Sequence, residues 1–330
     1  MLVRLIIALG VILLAAGGAS AASFDCSKAA TPFETIICES PTLSGIDEKL
    51  AVAYATAIGG LSDDAKAAMR RGQRDWLDFV QLYCTKTGEG PLEQNPETIG
   101  CLESEFGSRM SVLEGSRMLK GWRIYLDQHY AALPDTNRET NEFSKVAAKV
   151  AVVPRLDGGE QIGKEFNAFA ADFISGVPQL DDVSSDNSII ATIDDIRQNR
   201  ITLRVSESFY PHGAAHGDYQ TTFVHYLPFE GRTLEASDIF SGAGWEDALA
   251  KLVTDALKTK LGDLMWTDID KEIREWVVDP ERWTFTDESL IVQFRPYETA
   301  SYADGEPSVA IPWTALQDYT SASQNEIVFY

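Results

Sequence analysis

Residues 24–38 read FDCSKAATPFETIIC, and the first part of the fold follows from them. Two cysteines, Cys26 and Cys38, flank a segment that opens on a proline. Pro32 suits a first helical turn, where its missing N–H has no partner to lose, and Thr31 is placed to cap it. The spacing predicts a short helix over Pro32–Cys38. Further along, Cys84 and Cys101 complete a set of 4 cysteines. An even count in an exported chain points to disulfides. Sequential pairs, Cys26–Cys38 and Cys84–Cys101, each close a short loop around a helix end, and each is worth on the order of 3 kcal/mol by loop entropy. Zinc is the competing reading, and the absence of a CxxC spacing counts against it.

Between the two cysteine pairs the hydrophobic residues keep helical time. Ser44 and Asp47 resemble a capping box, followed by Ile46, Leu50, Tyr54, Ala57, Ile58 and Leu61. Ser62 opens another helix, with Met69, Gln73, Trp76, Val80 and Tyr83 on one face. Ile99, Leu102, Phe106, Met110 and Leu113 mark a third. Tyr54, Gln73 and Trp76 read as core packing with satisfied hydrogen bonds. Met118–Leu133 is expected to continue as a helix carrying Trp122, Tyr125, Leu126 and Tyr130. Pro134-Asp135-Thr136-Asn137 then breaks it.

The chain begins with a secretion pattern. Arg4 gives a positive start, Leu5–Ala16 is apolar, and Ala19-Ser20-Ala21 suits a cleavage site. The apolar run is short for a membrane span, and Cys26 lacks a lipoprotein setting. The mature chain is therefore expected to be exported to the periplasm or beyond, without a membrane span. Its charge is lopsided. From Ala22 to Tyr130 there are 16 acidic and 11 basic residues, and from Ala131 to Tyr330 there are 34 and 16. Such a surface repels nucleic acid and anionic lipid and attracts cationic proteins. Acidity also keeps an exported protein soluble.

Phe24, Asp25, Cys26, Glu34, Ile37, Cys38, Pro41, Leu43, Asp47, Leu50, Tyr54, Gln73, Arg74, Trp76, Leu77, Cys84, Cys101, Leu102, Phe106 and Arg109 stand at offsets that resemble the N-terminal domain of LprI-type lysozyme inhibitors. The resemblance implies an exported domain associated with inhibiting lysozyme.

From Ser144 the pattern changes. Val146, Ala148, Val150 and Val152 alternate as in a half-buried strand, and Ile162, Phe166, Phe169, Ala170, Phe173 and Ile174 keep helical spacing. Strands are expected at Ser188–Ile196, Arg200–Tyr210, Tyr219–Phe229 and Leu234–Phe240. Helices are expected at Trp245–Leu261 and Asp268–Val277, and short strands at Trp283–Phe285, Ser289–Phe294 and Ser308–Pro312. The chain thus divides into a signal segment (1–21), an all-α disulfide-stapled module (22–133) and an α+β domain with an antiparallel sheet and covering helices (144–320). Pro154-Arg155-Leu156 with Phe166 and Phe173, GAAHG at 213–217, FEGRTLEASDIF at 229–240, FRPYETASYADG at 294–305 and VAIPWTAL at 309–316 resemble the extracellular region of RsiV-type anti-sigma factors. That region binds lysozyme as a signal, and similar domains precede peptidoglycan deacetylases. A transmembrane helix and a sigma-binding segment are both missing from the pattern, which turns the expectation away from signalling.

Two histidines, His212 and His216, lie in PHGAAHGD, beside Asp218. A metal site is one reading, but glycines at 213 and 217 favour a loop and no HExxH accompanies them. His216 is expected to bond backbone in a tight inter-strand turn. Tyr297, Glu298, Ser301, Tyr302 and Asp304 form a second candidate patch, since aromatic rings among carboxylates suit a cationic surface. No GxSxG, GxxxxGK[ST] or GxGxxG occurs. The expectation is a binding protein rather than an enzyme, without cofactor or metal. Its partner is lysozyme or a related muramidase, blocked sterically by an exposed loop. The rival readings are a peptidoglycan-binding or envelope-sensing module and a metal-dependent hydrolase using the two histidines.

Overall fold

The computed structural model describes residues 22–330 apart from 86–90, 138, 140, 141, 143, 159, 160 and 176–181, and apart from the side chains of 173–175. The expected signal segment and the side chains of Phe173 and Ile174 lie outside the described residues.

Helix α1 (Pro32–Glu39) starts on a capping box: Thr31 accepts from the Glu34 amide and the Glu34 carboxylate takes the Thr31 amide. Cys26 is bonded to Cys38 and Cys84 to Cys101, with Cα atoms 5.8 and 5.7 Å apart. Helix α2 (Pro41–Ile58) begins earlier than the sequence suggests. Ser40 caps it at the Leu43 amide, and Ser44 lies buried inside, donating to the Ile37 carbonyl at 2.6 Å. Proline at the first helical position moved the cap four residues back, from Ser44 to Ser40. Helices α3 (Asp63–Tyr83) and α4 (Pro96–Glu114) are capped by Ser62 and Asn95. Their core holds Ile37, Leu43, Leu50, Trp76, Phe79, Val80, Leu102 and Phe106.

The largest departure follows. Met118–Leu133 is not a helix. It forms β1 (Met118–Leu119) and β2 (Trp122–Pro134). β2 pairs antiparallel with β3 (Val146–Leu156) over eleven residue pairs. Ile124, Leu126 and Gln128 alternate into buried positions, and the polar Gln128 hid that alternation in the sequence. Helix α3 lies on β2 so closely that a Cβ on Gly72 would fall 3.0 Å from Gln128 Cβ. Tyr125, Tyr130, Ala148 and Val150 pack against the helical core. The α-helical module and the sheet therefore share a core, and a boundary at residue 133 would divide β2 from β3.

After β3 comes helix α5 (Gln161–Ser175), then β4 (Ser185–Ile196), β5 (Ile201–Pro211), β6 (Asp218–Leu227) and β7 (Arg232–Thr233). The seven strands lie in sequence order, antiparallel except that β3 and β4 are parallel, joined across α5. The expected strand Leu234–Phe240 is corrected to a short helix, α6 (Ala236–Ile239). Asp238 there accepts from the Glu235 amide at 2.8 Å and is gripped by both Arg232 nitrogens.

A second sheet follows helices α7 (Trp245–Leu261) and α8 (Asp270–Trp276). It contains β8 (Trp283–Phe285), β9 (Ser289–Gln293) and β10 (Ser308–Pro312), in the order β10-β9-β8. The chain ends in α9 (Trp313–Leu316) and α10 (Gln324–Phe329). Leu249, Val253, Ile273, Trp283, Leu290, Val292 and Ile311 fill the core between α7, α8 and this sheet. The architecture is thus a disulfide-stapled helical region followed by an α+β region. None of the described helices is long and apolar enough to cross a membrane.

A polar relay joins the two sheets. Arg200 donates to the Thr202 hydroxyl at 2.7 Å, Thr202 faces His225 Nδ1 at 3.0 Å, and His225 Nε2 meets the Trp283 carbonyl at 2.9 Å. Thr202 accepts from the always-charged guanidinium, so its hydroxyl donates to Nδ1, and His225 is the neutral imidazole protonated at Nε2. Burial, with Arg200 nearby, pushes the His225 pKa down to about 3. Its unfolded value is about 6.5, so below that pH the unfolded chain binds a proton that the folded chain refuses. This contribution to stability is complete above about pH 6.5 and is lost progressively as pH falls towards about 3. His225→Gln, which keeps a donor and an acceptor, should flatten the stability profile between pH 6 and 4 by up to ~1.4 kcal/mol per pH unit. Urea denaturation at several pH values checks this. Parallel profiles for the two proteins would refute it.

Candidate binding site

The hairpin joining β5 to β6 ends in the loop 212–217, at the edge where the two sheets meet. Phe209 pairs with Asp218 at its base, and Tyr210 donates to the Ala214 carbonyl at 3.2 Å. Gly217 has to be glycine: a Cβ there would fall 2.7 Å from the Phe209 carbonyl oxygen. This close approach exposes the Gly217 carbonyl to two donors. His216 Nδ1 reaches it at 2.8 Å and the Tyr302 hydroxyl at 2.9 Å. His216 therefore carries its proton on Nδ1, and Nε2 accepts from the Tyr297 hydroxyl at 3.1 Å. The expected backbone bond of His216 is present, and a tyrosine occupies its other nitrogen.

Tyr297 and Tyr302 come from the loop between β9 and β10. Arg295 to Glu298 make a tight turn, the Glu298 amide donating to the Arg295 carbonyl at 3.3 Å. Pro296 suits its second position. The third normally needs glycine, yet Tyr297 sits there at φ 68°. Holding an L side chain left-handed costs roughly 1–2 kcal/mol. Such strain is a pointer to function when the strained ring is displayed, and Tyr297 is 47% exposed.

The rings assemble into one patch. His216 stacks on Tyr302 with centroids 4.2 Å apart, and Tyr219 meets Tyr302 edge-on at 5.6 Å. Tyr297 lies 5.4 Å from Tyr302 and 6.5 Å from Trp266. Trp266 is 43% exposed and is anchored through its amide to the Thr299 carbonyl at 2.9 Å. Carboxylates border the patch. Asp218 opens β6, and Glu306 accepts from the Thr221 amide at 2.6 Å. Burial and the Glu306 charge both raise the pKa of the Tyr219 phenol.

Of the other sequence candidates, Asp218 stays at the rim and the rest do not join this surface. His212 is fully buried: Nδ1 meets Asp135 at 2.9 Å and Nε2 meets Asp186 at 3.3 Å, tying the ends of β2, β4 and β5. Glu298 is held inward by Arg282, which donates to both its oxygens at 2.6 and 2.8 Å, and by the Arg295 amide at 2.7 Å. Ser301 and Asp304 cap a turn against each other, with Ser301 Oγ donating to Asp304 at 2.7 Å. Asp218 spends one oxygen on the following amide at 3.0 Å. His212 and His216 therefore share no partner, and among the described residues no group of three metal-ligating side chains exists. Sequence reasoning missed Tyr219, near the start of strand β6, and Trp266. A tryptophan in the polar turn between α7 and α8 was the signal available for the latter.

This loop and both helices before it fall within residues 237–314, which match the profile of a family described as "Protein of unknown function (DUF3298)". A DUF3298 domain occupies residues 237–314. The β5–β6 hairpin lies outside it, so the DUF3298 domain supplies Trp266, Tyr297 and Tyr302 while the preceding sheet supplies His216 and Tyr219. Two solved structures are similar. A DUF3298 family member from Bacteroides fragilis NCTC 9343 is 14% identical, covering 62% of this chain and 96% of its own, at a TM-score of 0.44. A DUF3298 family protein from Pseudomonas aeruginosa PAO1 is 13% identical with the same coverage and TM-score 0.44. Neither carries an LprI or RsiV name. No curated protein matches significantly.

Proposed function

We propose that the protein is an exported, periplasmic binder and inhibitor of lysozyme or a related muramidase, with no catalytic activity of its own. The observation that carries this reading is the exposed, strained Tyr297 within a ring cluster bordered by carboxylates. Cationic side chains bind well over aromatic faces, and carboxylates at the rim raise the encounter rate of a basic enzyme. The chain's net charge of −22 extends that field. Two disulfides accord with an oxidising compartment. His216 supports Tyr297 and Tyr302 and does not itself probe the enzyme's cleft, because both of its ring nitrogens are engaged.

Purified protein should slow lysozyme-driven lysis of cell walls, and inhibition should weaken as salt rises from 50 to 300 mM, roughly the range over which the Debye length shrinks below 10 Å. Undiminished lysis at excess protein would overturn the proposal. The exposed Trp266 and Tyr297 rings also favour a second reading, stacking on peptidoglycan sugars. Co-sedimentation with insoluble peptidoglycan, lysozyme absent, separates the two.

A further inference from the structure

The helical region holds a cation without an anion. Arg109 is 1% exposed, and among the described residues no carboxylate pairs with it. Its Nε and Nη2 donate to Gln73 Oε1 at 3.2 and 2.9 Å, and its Nη1 has no hydrogen-bond partner. The Trp76 and Tyr130 rings lie 5.7 and 5.6 Å from the guanidinium. The Tyr130 hydroxyl supports the Arg109 charge both by its field and as a side-chain hydrogen-bond partner, while Nη1 stays unpartnered. Burial holds the Arg109 pKa below the usual guanidinium value. A buried, uncompensated charge is expensive and calls for a physical explanation.

A cavity of about 470 Å³ adjoins it, lined in part by Phe24, Phe33, Leu50, Tyr54, Gln73 and Trp76. Arg109 grips the Gln73 oxygen, which fixes the amide and leaves its Nε2 hydrogens as the free donors of a residue that lines this cavity. Burial raises the pKa of the Tyr54 phenol, against the opposing charges of Arg70, Arg109 and Arg74, so the positive field reaches the cavity wall. Two carboxylates also border the space, and both are engaged. Glu34 takes the Ala30 and Thr31 amides at 2.8 and 2.9 Å, and Asp47 takes the Ser23 amide at 2.7 Å.

We propose that this cavity is a ligand site for a small organic carboxylate with a flat apolar body. The body lies against Phe24, Phe33 and Trp76. The carboxylate accepts from Gln73 Nε2 and the Tyr54 hydroxyl, in the field of Arg109. Arg109 is a positioning residue that orients the Gln73 amide and supplies charge without touching the ligand. The site is separate from the aromatic patch of the α+β region and stands or falls independently of lysozyme binding.

The test uses the mature, disulfide-bonded protein with tryptophan-selective 15N labelling, the Trp76 indole signal being identified with Trp76→Phe. Sodium benzoate should shift that signal saturably, with a Kd on the order of 1 mM or tighter. Benzamide, matched in shape and uncharged, should bind at least ~10-fold more weakly. Gln73→Glu places a carboxylate on Arg109 and repels the ligand, so it should weaken benzoate at least ~10-fold while leaving the fold intact by circular dichroism. Ala51→Trp, at the exposed mouth of the cavity, should block benzoate without touching Arg109. Should Gln73→Glu fail to fold, the benzamide comparison and Ala51→Trp still decide. Equal binding of benzoate and benzamide, absence of saturation, or unchanged binding in Ala51→Trp would each overturn the proposal.

Discussion

Tyr297→Gly should keep close to native stability and lose lysozyme binding by at least 2 kcal/mol, about 30-fold. The two effects come apart because the ring and the backbone at this position oppose each other. The ring is 47% exposed and contacts its neighbours at centroid distances of 5.4 to 6.5 Å, so its removal forfeits modest packing. The backbone at φ 68° is costly for tyrosine and free for glycine. Tyr297→Ala makes the comparison sharp. Alanine keeps the left-handed strain and also loses the ring, so it should be less stable than the glycine variant by about 1 kcal/mol, the reverse of their order in a helix. Both should bind equally poorly. Urea denaturation and calorimetric titration with lysozyme check the pair. An alanine variant as stable as the glycine variant would show that the turn is unstrained. Native-like binding by both would remove Tyr297 from the interface.

Glu298→Ala should be the most destabilising single change in the same loop, at about 3–5 kcal/mol. Glu298 neutralises Arg282, which is 7% exposed and bonded to it by two nitrogens. Without the carboxylate, the buried guanidinium keeps the weaker company of Asp279, 3.7 Å away and more exposed, and of the Glu281 charge. That cost compares with a total stability of about 5–15 kcal/mol for ordinary proteins. The diagnostic is the pair. Arg282→Met with Glu298→Leu removes both charges, and it should recover most of the lost stability. A double variant as unstable as the sum of the two singles would mean that the loop depends on hydrogen bonds rather than on charge balance. Binding should fall in Glu298→Ala as well, because the Glu298 bond to the Arg295 amide shapes the turn that displays Tyr297.

The helical region was legible wherever one residue type dictates one local geometry. Pro32 with Thr31, and Ser62 before Asp63, announced helix starts that the caps bear out. Pairing neighbouring cysteines gave the observed disulfides, since short loops leave little conformational choice. Met118–Leu133 misled because Trp122, Tyr125, Leu126 and Tyr130 satisfy a helical period as readily as Ile124, Leu126 and Gln128 satisfy a strand's. Pairing with β3 and the cover of α3 settled it, and neither is written locally.

The patch was half legible. His216, Tyr297 and Tyr302 were singled out from loops rich in glycine and aromatics, and they are the residues brought together. His212, Glu298, Ser301 and Asp304 looked equivalent in the sequence, and each turned inward or onto its own turn. Tyr219 and Trp266 joined from separate elements.

By itself the sequence determined the chain's acidity, the Thr31 and Ser62 caps, the disulfide pairs and the period of most strands, because a count needs no partner and the others depend on residues within one turn or one loop of each other. Only the tertiary structure decided which side chains are spent on buried charges and which remain displayed. That depends on partners 16 to 81 residues away, Arg282 for Glu298 and Tyr297 for His216, whose approach is fixed by how the two sheets meet.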